Sequence, residues 1–131
     1  MIYVDSNVPM YLVGADHPNK QRVITLLPRL LAAREQLATS AETFQELVHR
    51  YRAIDDLVHL GAAYEALETM VSSVEDITKA DVDDARSVAG QYHALSSRDC
   101  LHVAVMRRLR CDRIWSHDTR FDAVPAIQRI D

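Results

Sequence analysis

Short apolar runs alternate with longer amphipathic stretches along the whole chain. Ile2-Tyr3-Val4 is a β-type run that stops at Asp5. Val8 to Val13 follows as a helical stretch with Pro9 in its first turn, and Gly14-Ala15-Asp16-His17-Pro18 is a loop. Asn19 is the expected cap of a helix through Leu31 and Ala33, kinked at Pro28. Gln36 to Thr39 predicts a strand. Ser40 then opens a helix with the apolar stripe Phe44, Leu47, Val48 and Tyr51. A second amphipathic helix follows Asp55-Asp56. Its seam of Leu57, Leu60, Tyr64, Leu67 and Val71 suits helix packing but is too short for a free-standing coiled coil. Val74 to Ile77 predicts a strand, and Thr78 with Asp81 forms a capping-box pattern. The helix after it is expected to bury Val82, Ala85, Ala89 and Tyr92. Ser96 or Ser97 starts a helix to about Arg110. Arg113 to Ser116 is a strand, His117 to Asp122 a turn and Ile127 to Ile130 a last strand. Strands separated by helices or helix pairs imply an α/β fold: a central, mostly parallel sheet flanked by helices on both faces, in three layers.

Composition narrows the class. The 131 residues suit one compact domain, expected over residues 1–131, and 48% of them are hydrophobic. No apolar run approaches the roughly 20 residues of a membrane span. No signal peptide is visible at the N-terminus, and Cys100 and Cys111 form no CxxC pair. The expectation is therefore a cytoplasmic protein with ordinary thiols. A net charge of −4 argues against wrapping nucleic acid by bulk charge alone. Bound cations or a local arginine patch would reverse the sign where it matters.

In an open parallel sheet, functional groups collect beyond the carboxyl ends of the strands. Asp5 ends the first strand, and Asp118 follows the strand at Arg113 to Ser116. Capping roles explain either acid equally well. The helix from Asp99 to Leu109 is apolar over most of its circumference, which marks it as buried, and Asp99 shares a side with Val103 and Met106. Its alternative is a capping box with Ser96. Glu46 lies opposite the stripe of its helix and is expected to face a wet groove or plain solvent, with Glu42 as its competitor. Carboxylates drawn together raise one another's pKa unless a cation holds them. Hard oxygen ligands select Mg²⁺ or Mn²⁺, which points to phosphoryl chemistry.

Four segments carry a resemblance. They are Val4-Asp5-Ser6-Asn7, Thr39 to Leu47, Ser97 to Ala104, and Ser116-His117-Asp118-Thr119-Arg120-Phe121. In this order and at these spacings the chain resembles the PIN domain, and in particular the VapC-type toxins of toxin–antitoxin pairs. The resemblance implies a PIN-like three-layer fold and a divalent-metal-dependent endoribonuclease. It carries the family's acids onto Asp5, Glu46, Asp99 and Asp118, and makes them the metal and catalytic residues. It also implies an RNA substrate such as tRNA or rRNA, a VapB-type antitoxin that blocks the acidic groove, and a homodimer. Ser6 and Ser116 match small hydroxyl positions near the metal, whereas His117 stands where Asn is more usual.

In this reading Asp5, Asp99 and Asp118 hold one or two ions, and Glu46 holds a metal or orients water. Arg107, Arg108, Arg110 and Arg113 form the densest basic stretch. They serve either as a phosphate clamp or as cations at a helix C-terminus. The six histidines make no zinc spacing and read mostly as surface or satisfied groups; His102 is nearest to the site, one turn after Asp99. No phosphate loop or nucleophile elbow is present. The competing classes are a non-catalytic interaction module of the same fold and a small metal-dependent phosphatase.

Overall fold

The computed structural model describes residues 1–131. Five strands alternate with six helices: β1 (Ile2–Val4), α1 (Asn7–Val13), α2 (Pro18–Ala32), β2 (Leu37–Ser40), α3 (Ala41–Ala53), α4 (Leu57–Met70), β3 (Ser73–Glu75), α5 (Lys79–Gln91), α6 (Ser97–Leu109), β4 (Arg113–Trp115) and β5 (Gln128–Ile130). A 3₁₀ turn, Thr119–Ala123, precedes β5. The sheet order is β3-β2-β1-β4-β5, and every neighbouring pair is parallel.

β1 is central, and its side chains divide between two cores. Ile2 and Val4 point to the layer of α1 to α4, while Tyr3 points to that of α5 and α6. β4 repeats the alternation: Trp115 joins the first core and Ile114 the second. Burial on both faces explains why these strands read as continuous apolar runs. The chain moves outward from β1 to β3, then crosses to the other side of β1 for β4. Strand order reverses between β1 and β4, so a crevice opens beyond their carboxyl ends.

Several local expectations shift. His17, not Asn19, caps α2, its Nδ1 accepting from the Asn19 amide at 3.0 Å, and Pro18 takes the first helical position. The helix passes through Pro28 to Ala32 without interruption. α5 buries Asp81, Ala85 and Val88, leaving Val82 and Ala89 exposed. Its inner face is displaced because Asp81 is held inside by Thr78 and by Arg108, whose Nε donates at 2.8 Å. The seam expected on α4 divides as well. Leu67 is buried with Ala63 and Met70, whereas Leu57 and Tyr64 face outward. No helix is long and apolar enough to cross a membrane.

Candidate metal-dependent active site

The pairing of Val4 with Trp115 continues into the loops beyond both strands and places Asp5 beside Ser116. The Asp5 amide donates to the Trp115 carbonyl at 3.1 Å. The Asp5 carboxylate is then fixed by three donors. The Ser6 amide reaches Oδ1 at 2.7 Å; Asn7 Nδ2 at 2.7 Å and Ser116 Oγ at 2.6 Å reach Oδ2. Of the two serines, Ser116 holds Asp5 through its hydroxyl, whereas Ser6 does so through its backbone amide. Asp5 is only 4% exposed. Burial is the main influence on its carboxyl and pushes its pKa up; His102 and the Ser116 hydrogen bond oppose this. A carboxylate so placed favours a cation beside it.

Glu46 reaches the same place from α3. It is buried rather than on a wet outer face, because α3 packs against α6 as well as the first core. Its Oε1 accepts from Arg50 Nε at 3.1 Å, and its Oε2 lies 3.4 Å from His102 Nε2. Burial alone would raise its pKa, but His102 and Arg50 outweigh burial and hold it well below the usual range.

His102 is the residue that sequence reasoning left aside. It is fully buried on α6, with Nδ1 2.9 Å from Tyr3 Oη. Tyr3 Oη shares a hydrogen bond of 2.6 Å with Ser40 Oγ, and Thr39 Oγ1 donates to the Val4 carbonyl at 2.8 Å. The floor of the site is therefore a network of hydroxyls and one imidazole. Burial works against the charged ring; Tyr3, Glu46 and Asp5 outweigh it and push its pKa up. Ligand atoms of Asp5, Glu46 and His102 all lie within 4.8 Å of one another. The two hard carboxylates at such a separation suit one divalent cation, with His102 as the charged ring that holds Glu46 beside Asp5.

Asp99 and Asp118 meet across Arg120. The Asp99 carboxylate closes a capping box, accepting from the Ser96 amide at 2.9 Å while Ser96 Oγ accepts from the Asp99 amide. Asp99 is also 3.5 Å from Arg120 Nη2. Asp118 caps the 3₁₀ turn through the Arg120 amide and grips the Arg120 guanidinium with both oxygens. That guanidinium is the main cause of its lowered pKa. Capping and clustering coexist in both acids, and Arg120 also feels the charge of Asp5. The four acids thus form two linked pairs around one crevice: Asp5 with Glu46, and Asp99 with Asp118.

The structure answers two points that the sequence left open. Arg113 begins β4, at the sheet edge opposite the acids, and binds Glu35 through two hydrogen bonds of 2.9 and 2.7 Å. Arg107 pairs with Asp84, and Arg108 with Asp81 and Glu75. The densest basic stretch of the sequence therefore lies away from the site, with these three guanidinium groups engaged by the protein. His117 buries both ring nitrogens without partners and sets its ring edge-on to Tyr11, with centroids 5.2 Å apart. Burial pushes its pKa down, consistent with a packing ring.

A crevice of acids at the strand-order reversal of a parallel sheet defines an α/β domain fitted to metal-assisted phosphoryl chemistry, and comparisons with known proteins specify it. The PIN domain model matches residues 2–127. The chain is 45% identical over 130 residues to ribonuclease VapC13 of Mycobacterium tuberculosis, covering 99% of each chain. A VapC ribonuclease of Mycobacterium bovis matches to the same extent, 45% over 130 residues. The chain belongs to the PIN-domain family, among the VapC ribonucleases. The fold is shared with the crystal structure of VapC20 of M. tuberculosis, a sarcin-ricin-loop-cleaving toxin. There the TM-score is 0.73 at 23% identity, with 94% of each chain covered. It is shared too with VapBC2 of Rickettsia felis bound to a promoter DNA fragment, at TM-score 0.74 and 15% identity, covering 99% of this chain and 98% of that one.

Proposed function

We propose that this protein is a divalent-metal-dependent endoribonuclease that acts as the toxin of a toxin–antitoxin pair. The observation that carries this reading is the buried Asp5 carboxylate, oriented by three donors and facing Glu46 and His102. Full-length similarity to named VapC ribonucleases supports it. Asp5, Glu46, Asp99 and Asp118 are the residues for Mg²⁺ or Mn²⁺, and His102 is a positioning residue that holds the Glu46 carboxylate. A bound cation supplies Lewis acidity at the phosphate and lowers the pKa of attacking water. Ser116, Ser6 and Asn7 fix the Asp5 oxygens, so little reorganisation is needed when the cation binds. Glu46, held ionised by His102 and Arg50, offers a carboxylate oxygen that can orient water. Purified protein is expected to cut a susceptible single-stranded RNA with Mg²⁺ or Mn²⁺ and to stop on addition of chelator. Undiminished cleavage in chelator would contradict the metal mechanism.

A VapB-type antitoxin and a second copy of the chain are the proposed protein partners. Solved relatives include VapBC-1 of Haemophilus influenzae and VapBC2 of R. felis, which supports the first. For the second, Phe44, Val48, Tyr64 and Val74 line an apolar cleft at the edge strand β3. Sedimentation of the isolated protein tests the dimer.

A further inference from the structure

Beside the acids, a second cleft of about 330 Å³ contains no apolar side chain. Glu46 forms part of it, and His49, Arg50, Arg98 and Arg120 surround the rest. Three guanidinium groups therefore gather next to the acid that also belongs to the cation site. Two are partly committed: Arg50 to Glu46, and Arg120 to Asp118 and Asp99. Arg98 is the most weakly held: its side chain makes no hydrogen bond within the protein, and its one ion pair, to Glu42 3.7 Å from Nε, lies outside hydrogen-bond range. Yet its side chain is only 28% exposed, so it is partly enclosed with its donors unspent. This contrasts with Arg107, Arg108 and Arg113 at the other end of α6 and the start of β4, whose donors are taken up by acids.

We propose that this cleft seats a backbone phosphate of the RNA strand neighbouring the one that is cut, with Arg98 as its principal contact. A planar guanidinium fork matches two phosphate oxygens. Ser97 lies in the same wall and adds a hydroxyl. The acids repel the strand they must cleave, and an adjacent cationic seat offsets that repulsion while fixing the strand's register. Such a seat carries no base readout, so it strengthens binding to all sequences alike.

The assignment rests on the ribonuclease reading, and the test keeps the two apart. The Asp5→Asn protein, in Mg²⁺, is titrated with a short fluorescein-labelled single-stranded RNA by anisotropy over a range of NaCl concentrations. Adding Arg98→Gln should weaken binding and make the salt slope shallower by about 0.7, the value of one single-strand phosphate contact. Arg98→Lys keeps the charge and should retain most of the slope. Arg107→Gln should change neither quantity. In the active protein, Arg98→Gln should raise KM more than it lowers kcat. An Arg98→Gln protein with unchanged affinity and slope, or an equal loss at Arg107→Gln, overturns the phosphate seat. If the wild-type protein cleaves RNA while that result holds, only the seat falls. If the wild-type protein does not cleave RNA and the Asp5→Asn protein does not bind it, the ribonuclease reading falls with it.

Discussion

At the scale of the residue, a side chain at this site does several things at once. Asp99 is both half of a capping box and part of the acid crevice, so the choice posed by the sequence between cap and site does not arise. Its charge is compensated by the helix N-terminus and by Arg120. Asp99→Asn, in chelator, is therefore expected to melt below wild type, by the equivalent of about 0.3–1 kcal/mol for a lost first-turn charge. It should also gain less stability from Mn²⁺ than wild type gains. A variant that melts above wild type in chelator would show that repulsion among the acids dominates instead. Strand ends and a buried helix start drew attention to Asp5, Asp118 and Asp99, with capping as the alternative at each, whereas Glu46 was singled out only through the family resemblance. His102 was placed nearest to the site but was read with the other histidines as a surface or satisfied ring, because its partners lie far away in the chain. Its meaning comes from Tyr3 and Glu46, 99 and 56 positions away in the chain.

At the scale of the element, periodicity located the helices but not always the face each one buries. α5 turned because an ion pair, not an apolar side chain, anchors its first turn; Asp81 is held inside by Arg108 from α6 together with the Thr78 cap. Glu46 looked like a surface residue for the related reason that α3 has two buried sides. For the arginine run the structure favours the helix-terminus alternative over the phosphate clamp: α6 carries Asp99 at one end and Arg107 and Arg108 at the other. What the elements leave uncovered also has consequences. Val48 and Val74 are exposed beside Tyr64 on α3, β3 and α4. An edge strand with an exposed apolar side chain invites a partner. Val74→Lys is expected to shift the protein from dimer to monomer in sedimentation while its melting in dilute solution stays cooperative. A wild-type protein that sediments as a monomer at every concentration would remove this surface from the account.

At the scale of the whole molecule, topology does the gathering. The reversal of strand order between β1 and β4 brings Asp5 and Ser116 together across 111 positions of chain. α3 and α6, from opposite layers, then close over that crevice and deliver Glu46, His102 and Asp99. The parallel sheet with helices on both faces was readable from the alternation of elements. The strand order was not, because nothing local in β4 specifies that it pairs with β1. In the proposed function this convergence builds a seat for a divalent cation, with Asp5 as its anchor. Titrating Mn²⁺ into wild type and Asp5→Asn by calorimetry, with thermal melts in parallel, tests it most directly. Wild type should show a saturable site and gain roughly 2.7 kcal/mol of stability when the ion is at 100 times its dissociation constant. Asp5→Asn should stay folded and lose both the binding heat and the gain. Equal Mn²⁺ binding by the two folded proteins would contradict the claim.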